Sequence, residues 1–282
     1  MLFDEVREIL CRFAGRWAGV PADVDARTRE IGAMIEHSGS MGPRNWWSQL
    51  LRQRNERWAR STIERVRTGS IDAPEGTPLP TIASHRDKQG DLLDANIAAV
   101  ELINILRPMV AVAHFIMFEA VALDRHSDAR ELVRGDNNAD IECFVQEVRR
   151  SYPFFPFIGG RVRAPFTWEG HRLRAGDRVL LDLYGTNHDR RIRENPDAFR
   201  PERFRGWQGN PWTPVPQGAG NHHTSHRCPG EWVTIALMSQ AARILTREMT
   251  FDMPAQDLTI PPSHMPSKPR NGVVLRNVRS NS

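Results

Sequence analysis

The sequence predicts a mainly α fold with a minor β component. Three observations predict it. Apolar residues recur at spacings of three and four through the first half of the chain. A long apolar stretch lies between Asp94 and Asp124. From Pro156 the texture changes to short strand-like pieces separated by glycine turns.

The elements follow in order. Val6, Ile9, Leu10, Phe13 and Trp17 form an amphipathic stripe, and Gly19-Val20-Pro21 ends that helix. A second helix is expected from Asp23 to near His37, before the break at Ser38-Gly39-Ser40. A third, rich in Arg and Trp, spans Trp46 to Arg67. Gly69 to Gly90 carries Pro74, Pro78 and Pro80 and is expected to be a loop. The long helix runs from about Leu92 to Leu123, and another from Ile141 to Tyr152 is stopped by Pro153. Short strands are expected around Val162, Phe166, Trp168, Leu173 and Arg178–Leu181, with turns at Glu169-Gly170 and Ala175-Gly176. A Pro- and Gly-rich segment from Pro196 to Pro229 leads into a helix from Glu231 to Glu248. Strand-like pieces at Leu258–Ile260 and Gly272–Leu275 close the chain.

Composition narrows the function classes. With 282 residues, 40% hydrophobic and 26% charged, the chain falls among globular proteins. Its net charge is only +4, although its pI is near 9.4, and no basic stripe points to nucleic acid. Three cysteines, Cys11, Cys143 and Cys228, make no disulfide framework and fit a reducing cytoplasm. The charged N-terminus is not a signal peptide. The longest uncharged run in the apolar stretch, Pro108 to Phe118, is 11 residues. A bilayer span needs roughly 20, so a buried helix is expected, not a membrane anchor.

Cys228 stands apart from the other two cysteines. It ends a glycine-rich run, Gln217-Gly218-Ala219-Gly220-Asn221-His222-His223-Thr224-Ser225-His226-Arg227-Cys228-Pro229-Gly230-Glu231, and immediately precedes a helix. Backbone N–H groups at a helix N-terminus stabilise a thiolate. A single thiolate suits haem iron, to which it donates electron density that favours O–O cleavage. Zinc held by His222, His223, His226 and Cys228 is the rival, but these residues are close together for four ligands of one ion.

Three further features carry chemistry. Glu147 and Arg150 sit three apart on one helix face, as a solvated pair would. Arg107-Pro108 interrupts the apolar stretch; the proline should kink the helix and release the Asn104 carbonyl. Arg107 either pairs with Glu101 or another acid, snorkels, or meets a ligand. Phe154 and Phe155 belong either to the core or to a pocket.

Pro216-Gln217-Gly218-Ala219-Gly220 followed by His226-Arg227-Cys228-Pro229-Gly230-Glu231 resembles the haem-binding loop of cytochromes P450, and within them the bacterial fatty-acid peroxygenase branch. Ala219 and Ser225 depart from that branch, which tends to have Gly there. Glu147-Val148-Arg149-Arg150, Pro201-Glu202-Arg203-Phe204, Leu180–Asp189 and Phe154–Gly160 resemble the family too. The resemblance runs from Leu2 to Val278 and implies a cytochrome P450 fold lacking its N-terminal helices and part of its β-sheet. Residues 1–282 would form one haem domain, the C-terminal two-thirds of that fold, with apolar surface left uncovered.

It also implies roles. Cys228 would be the thiolate ligand of haem b, with His226, Gly220 and Gly230 as further cofactor contacts. Glu147, Arg150 and Arg203 would form a buried structural triad. Phe154 and Phe155 would lie beside the substrate. Ordinary members carry an acid–alcohol pair in the long helix; here Arg107-Pro108 stands instead. The implied activity is hydroxylation of a fatty acid at the α or β carbon by hydrogen peroxide, with the substrate carboxylate held by Arg107 and no redox partner. A reductase-dependent monooxygenase and an inactive haem-binding fragment are the alternatives.

Overall fold

The computed structural model describes residues 1–21, 27–37, 39 and 42–281. Its helices are α1 (Leu2–Ala18), α2 (Thr28–Glu36), α3 (Pro43–Arg67), α4 (Pro78–Ser84), α5 (Ala95–Ala111), α6 (Ala113–Arg125), α7 (Ser127–Arg134), α8 (Asn138–Ser151), α9 (Leu183–Asn187) and α10 (Glu231–Arg243). The strands are β1 (Phe157–Arg161), β2 (Phe166–Trp168), β3 (His171–Leu173), β4 (Arg178–Asp182), β5 (Met249–Asp252) and β6 (Arg276–Ser280). Three two-stranded antiparallel sheets result: β1 with β4, β2 with β3, and β5 with β6. The fold is mainly α with a minor β component, as the sequence pattern predicts.

The long helix organises the core. Asp94 caps it by accepting from the N–H groups of Asn96 and Ile97, satisfying two of the donors a helix start leaves open. Its first half, α5, packs against α1, α2, α3 and α4 around Leu102, Leu106, Ile63 and Leu79. Its second half, α6, packs against α8 and α10 around Phe115, Phe118, Phe144 and Met238. The two cores meet near Val112, where the helix is interrupted. The interruption falls one turn after Pro108, not at it. The Val112 N–H bonds to the Met109 carbonyl, three residues back, so the helix passes the proline and tightens in the following turn. Among the described residues, this is the helix long and apolar enough to cross a membrane, and 78% of its most apolar window is buried. Glu119 lies inside it with no hydrogen-bond partner among the described residues, and burial raises its carboxyl well above the ordinary range.

Several expectations need correction. The α1 stripe divides: Leu10 is buried, but Ile9, Phe13 and Trp17 are exposed, Ile9 at 62%. Those three point away from the core that Leu10 joins. The second helix is described from Thr28, and Asp23, Ser38 and Ser40 lie outside the described residues. The Gly69–Gly90 loop contains α4, because proline fits the first helical turn, where its missing N–H has no partner to lose. Helix α7 occupies Ser127–Arg134, where no element was expected. The helix after Cys228 ends its α form at Arg243 and widens to a π turn over Ile244–Glu248. Leu258–Ile260 is not a strand, and the last strand begins after Leu275. Glu169 and Gly170 do form the two-residue turn of the β2–β3 hairpin, with φ of 49° and 78°, the left-handed pair such a turn requires.

Candidate functional site

Cys228 sits three residues before the first residue of α10, in the loop the sequence singles out. Its backbone N–H bonds to the Gln217 carbonyl at 3.0 Å, closing the loop across its base. Gly218 and Gly220 have φ of 92° and 90°, which side-chain-bearing residues rarely adopt. A Cβ on Gly220 would come within 2.7 Å of the Ser225 side chain. Gly230 has an ordinary φ of −88°, so the turn itself does not demand glycine there. Nor does space demand it: a Cβ at Gly230 would lie 3.7 Å from the Cys228 sulfur, an ordinary contact. Cys228 is a free, half-buried thiol, and His226 is exposed.

Beneath the loop lies a charge cluster that sequence reasoning missed. Glu231 accepts from Arg227 Nε at 2.6 Å, from His222 Nε2 at 2.7 Å, and from Arg149. Arg149 is fully buried and also donates to Gln146 Oε1 at 2.6 Å and to Gln217 Oε1 at 2.9 Å. Burial alone would raise the Glu231 carboxyl, but Arg227, Arg149 and His222 together bring it down to about 2. The cluster ties α8, the loop and α10 together. One signal was available: Arg227 and Glu231 are four apart across a helix start. Because His222 is engaged with Glu231, the four-ligand zinc arrangement does not assemble. Among the described residues, no group of three or more His, Cys, Asp and Glu side chains converges as a metal site.

Glu147, Arg150 and Arg203 do meet. Arg150 holds the Glu147 carboxylate bidentately, Nε to Oε2 at 2.7 Å and Nη2 to Oε1 at 2.8 Å. Arg203 Nε reaches Oε1 at 3.2 Å, and the Arg200 backbone N–H donates to the same oxygen at 2.7 Å. Arg150 Nη1 donates to the carbonyls of Asn187 and Pro196. The pair is therefore not a solvated surface contact: both side chains are fully buried.

Arg107 is half-buried on α5 and makes no ion pair or hydrogen bond among the described residues. Glu101, the nearest acid in sequence, is exposed and does not pair with it. Arg107 lines a cavity of about 70 Å³ with Met34, Arg52, Glu56, Val100, Ile103 and Asn104. Burial, and then the charge of Arg52, push its guanidinium below the ordinary value. Pro108 is exposed on the same helix. Phe154 packs against the core: its ring meets Phe115 at 4.9 Å, Phe155 at 4.5 Å and His114 at 5.1 Å, while both phenylalanines stay partly exposed. His114, also missed from sequence, is buried with Nε2 unpartnered among the described residues, and burial pushes it down to about 4.

Comparison with known proteins identifies the class. The family described as Cytochrome P450 matches residues 141–276, which contain Glu147, Arg150, Arg203 and Cys228. A solved structure of cytochrome P450SP alpha (CYP152B1) in complex with (R)-ibuprophen is 45% identical, with a TM-score of 0.92, over 100% of this chain and 70% of that one. The chain belongs to the cytochrome P450 family. Cytochrome P450EX alpha (CYP152N1) with myristic acid is similar at 39% identity and a TM-score of 0.91, covering 99% of this chain and 69% of that one. Cytochrome P450 137 of Mycobacterium tuberculosis is 28% identical over 178 residues, which are 61% of this chain and 37% of that relative's length. Membership implies haem held by a cysteine thiolate. The site fits such a group: one soft donor on a glycine-bordered loop, with no second protein ligand converging on it among the described residues.

Proposed function

We propose that the chain is the haem-bearing part of a peroxygenase that hydroxylates fatty acids with hydrogen peroxide. The observation that carries this is Arg107, a half-buried cation on the central helix with no anion of its own among the described residues. An unpaired guanidinium in a partly dry cavity is destabilising until a carboxylate arrives. Similar structures fit, since cytochrome P450EX alpha is seen with myristic acid and a variant of cytochrome P450 OleT with arachidonic acid.

Cys228 would hold the iron of haem b, with Gly220, Gly230 and His226 bordering the group. Bound there, the haem supplies the iron at which peroxide is activated. Arg107 binds the substrate carboxylate through its planar fork of donors. That carboxylate takes a proton from hydrogen peroxide and returns it to the departing oxygen, which leaves as water. The fatty acid gains the other oxygen as a hydroxyl near the carboxylate, at the α or β carbon, so one peroxide yields one hydroxy acid and one water. Phe154 and Phe155 flank the chain of the substrate. No reductase is needed, because peroxide supplies both oxygen and oxidising equivalents.

The test is turnover of a fatty acid with hydrogen peroxide by haem-loaded protein, with Arg107→Ala alongside. Removing a bidentate charge partner should lower kcat/KM by about 100-fold or more. Unchanged peroxide-driven turnover in Arg107→Ala would overturn the carboxylate role, and activity only with an electron donor and O₂ would favour a reductase-dependent monooxygenase. A second reading, a haem-binding chain without turnover, draws on the exposure of Ile9, Phe13, Trp17, Leu180 and Leu181. Haem retention with a cysteine-thiolate spectrum but no product would support it.

A further inference from the structure

The Arg107 cavity holds more charge than one anchor needs. It is built at the junction of three helices: Met34 from α2, Arg52 and Glu56 from α3, and Val100, Ile103, Asn104 and Arg107 from α5. Arg52 Nε donates to Glu56 Oε1 at 2.7 Å, a pair four residues apart along α3. The lining thus holds two guanidinium groups and one carboxylate, which is engaged by Arg52, so the cavity keeps one unmatched positive charge. Both members of the α3 pair are substantially exposed, at 48% and 32% of their side chains. Surface pairs of this kind are weak and readily exchanged.

We infer that Arg52 is a second substrate-positioning residue, and that the Glu56 carboxylate is an internal stand-in that competes with the substrate carboxylate for the two arginines. The inference rests on the reading of Arg107 as a carboxylate anchor. Its chemistry is simple. In the free chain, Glu56 occupies Arg52 and leaves Arg107 unpaired. An incoming carboxylate brings the missing negative charge and is held from two sides by Arg52 and Arg107. Repulsion between the two arginines is relieved at the same moment. The small volume suits a carboxylate head and excludes a ring, so selectivity here is for the head group and not the chain.

The test is titration calorimetry of the purified 282-residue chain with myristic acid and, separately, its methyl ester. The ester keeps the hydrocarbon chain and loses the charge, so it also controls for folding of each variant. Arg52→Gln should weaken acid binding about 5- to 10-fold and leave the ester unchanged, the scale of one charge-assisted contact. Glu56→Gln should tighten acid binding by a similar factor, an effect that a purely structural role for Glu56 does not produce. Arg107→Gln should abolish the preference for acid over ester. Acid affinities within twofold of the unaltered chain in both Arg52→Gln and Glu56→Gln, with the preference lost in Arg107→Gln, would overturn this inference alone. A preference that survives Arg107→Gln, or no acid binding by the unaltered chain, would overturn it together with the anchor on which it rests.

Discussion

Two regions of the molecule are built from the same parts, two arginines and one glutamate, and behave oppositely. In the Glu147–Arg150–Arg203 cluster every strong donor of Arg150 has an acceptor: the carboxylate, three backbone carbonyls and the Ser151 hydroxyl. In the Arg52–Glu56–Arg107 cluster one guanidinium has none among the described residues. The difference lies in what surrounds the charges. Asn187 at the end of α9 and the loop through Pro196–Ala198 bring carbonyls onto Arg150, and carbonyls cannot leave. Around Arg107 the walls Met34, Val100 and Ile103 offer no side-chain acceptor, and neither Glu56 nor Asn104 on the same lining bonds to it among the described residues. A closed ion cluster stabilises; an open one waits for a partner.

The comparison is broken most easily from the closed side. Arg150→Met leaves a fully buried Glu147 carboxylate without its bidentate partner, and such removals cost about 3–5 kcal/mol. Urea unfolding should show that loss, and a change below about 1 kcal/mol would mean that the cluster contributes little. Arg203→Ala removes the 3.2 Å contact to Glu147 together with bonds to the carbonyls of Glu194, Asn195 and Ala198, which lie nearer solvent, so about 1–2 kcal/mol is expected in the same measurement.

The Glu231 cluster beneath Cys228 sharpens the point with pH. Its carboxyl is held at about 2, below the ordinary value of 4.5. A depressed folded-state pKa contributes stability that is complete above the unfolded value and disappears as pH falls through the folded one. Acid should therefore cost up to about 3 kcal/mol between roughly pH 4.5 and pH 2, and Glu231→Gln should flatten that part of the stability curve. His114 adds a separate segment. Burial lowers it to about 4 from 6.5, so stability present above pH 6.5 falls as pH drops to about 4. His114→Phe should remove that slope and leave the lower one, as read by thermal melts across pH.

Much of this was legible in the sequence, and the illegible part has one physical cause. Helices with a strong apolar period, the cysteine loop and the Glu147–Arg150 spacing follow from local pattern. So does the hairpin turn at Glu169-Gly170, which depends only on two residues adopting positive φ. What sequence could not supply is the partner across space. Arg149 and Glu231 are 82 residues apart, and Arg52 and Arg107 sit on different helices. Ile9, Phe13 and Trp17 have the right period for a core face and yet are exposed, because period shows that a face is apolar and not what covers it. Pro108 misled by one turn: its missing N–H predicts a local fault, but the helix absorbs it by tightening at Val112.

The smallest effect is the most telling. Arg107→Leu removes a charge that has no partner to lose and leaves an apolar side chain among Met34, Val100 and Ile103. The closed cluster loses stability when its arginine is removed; the open one should not. The desolvation that depresses the Arg107 guanidinium vanishes with it, and so does its repulsion with Arg52. Stability should stay level or rise by up to about 1 kcal/mol in urea unfolding of the ligand-free chain. With saturating fatty acid the order should reverse, since the unaltered chain gains stability from bound carboxylate and the variant does not. A variant that is less stable by more than about 1 kcal/mol without ligand would show that Arg107 already has a structural partner, and the two clusters would then be of one kind.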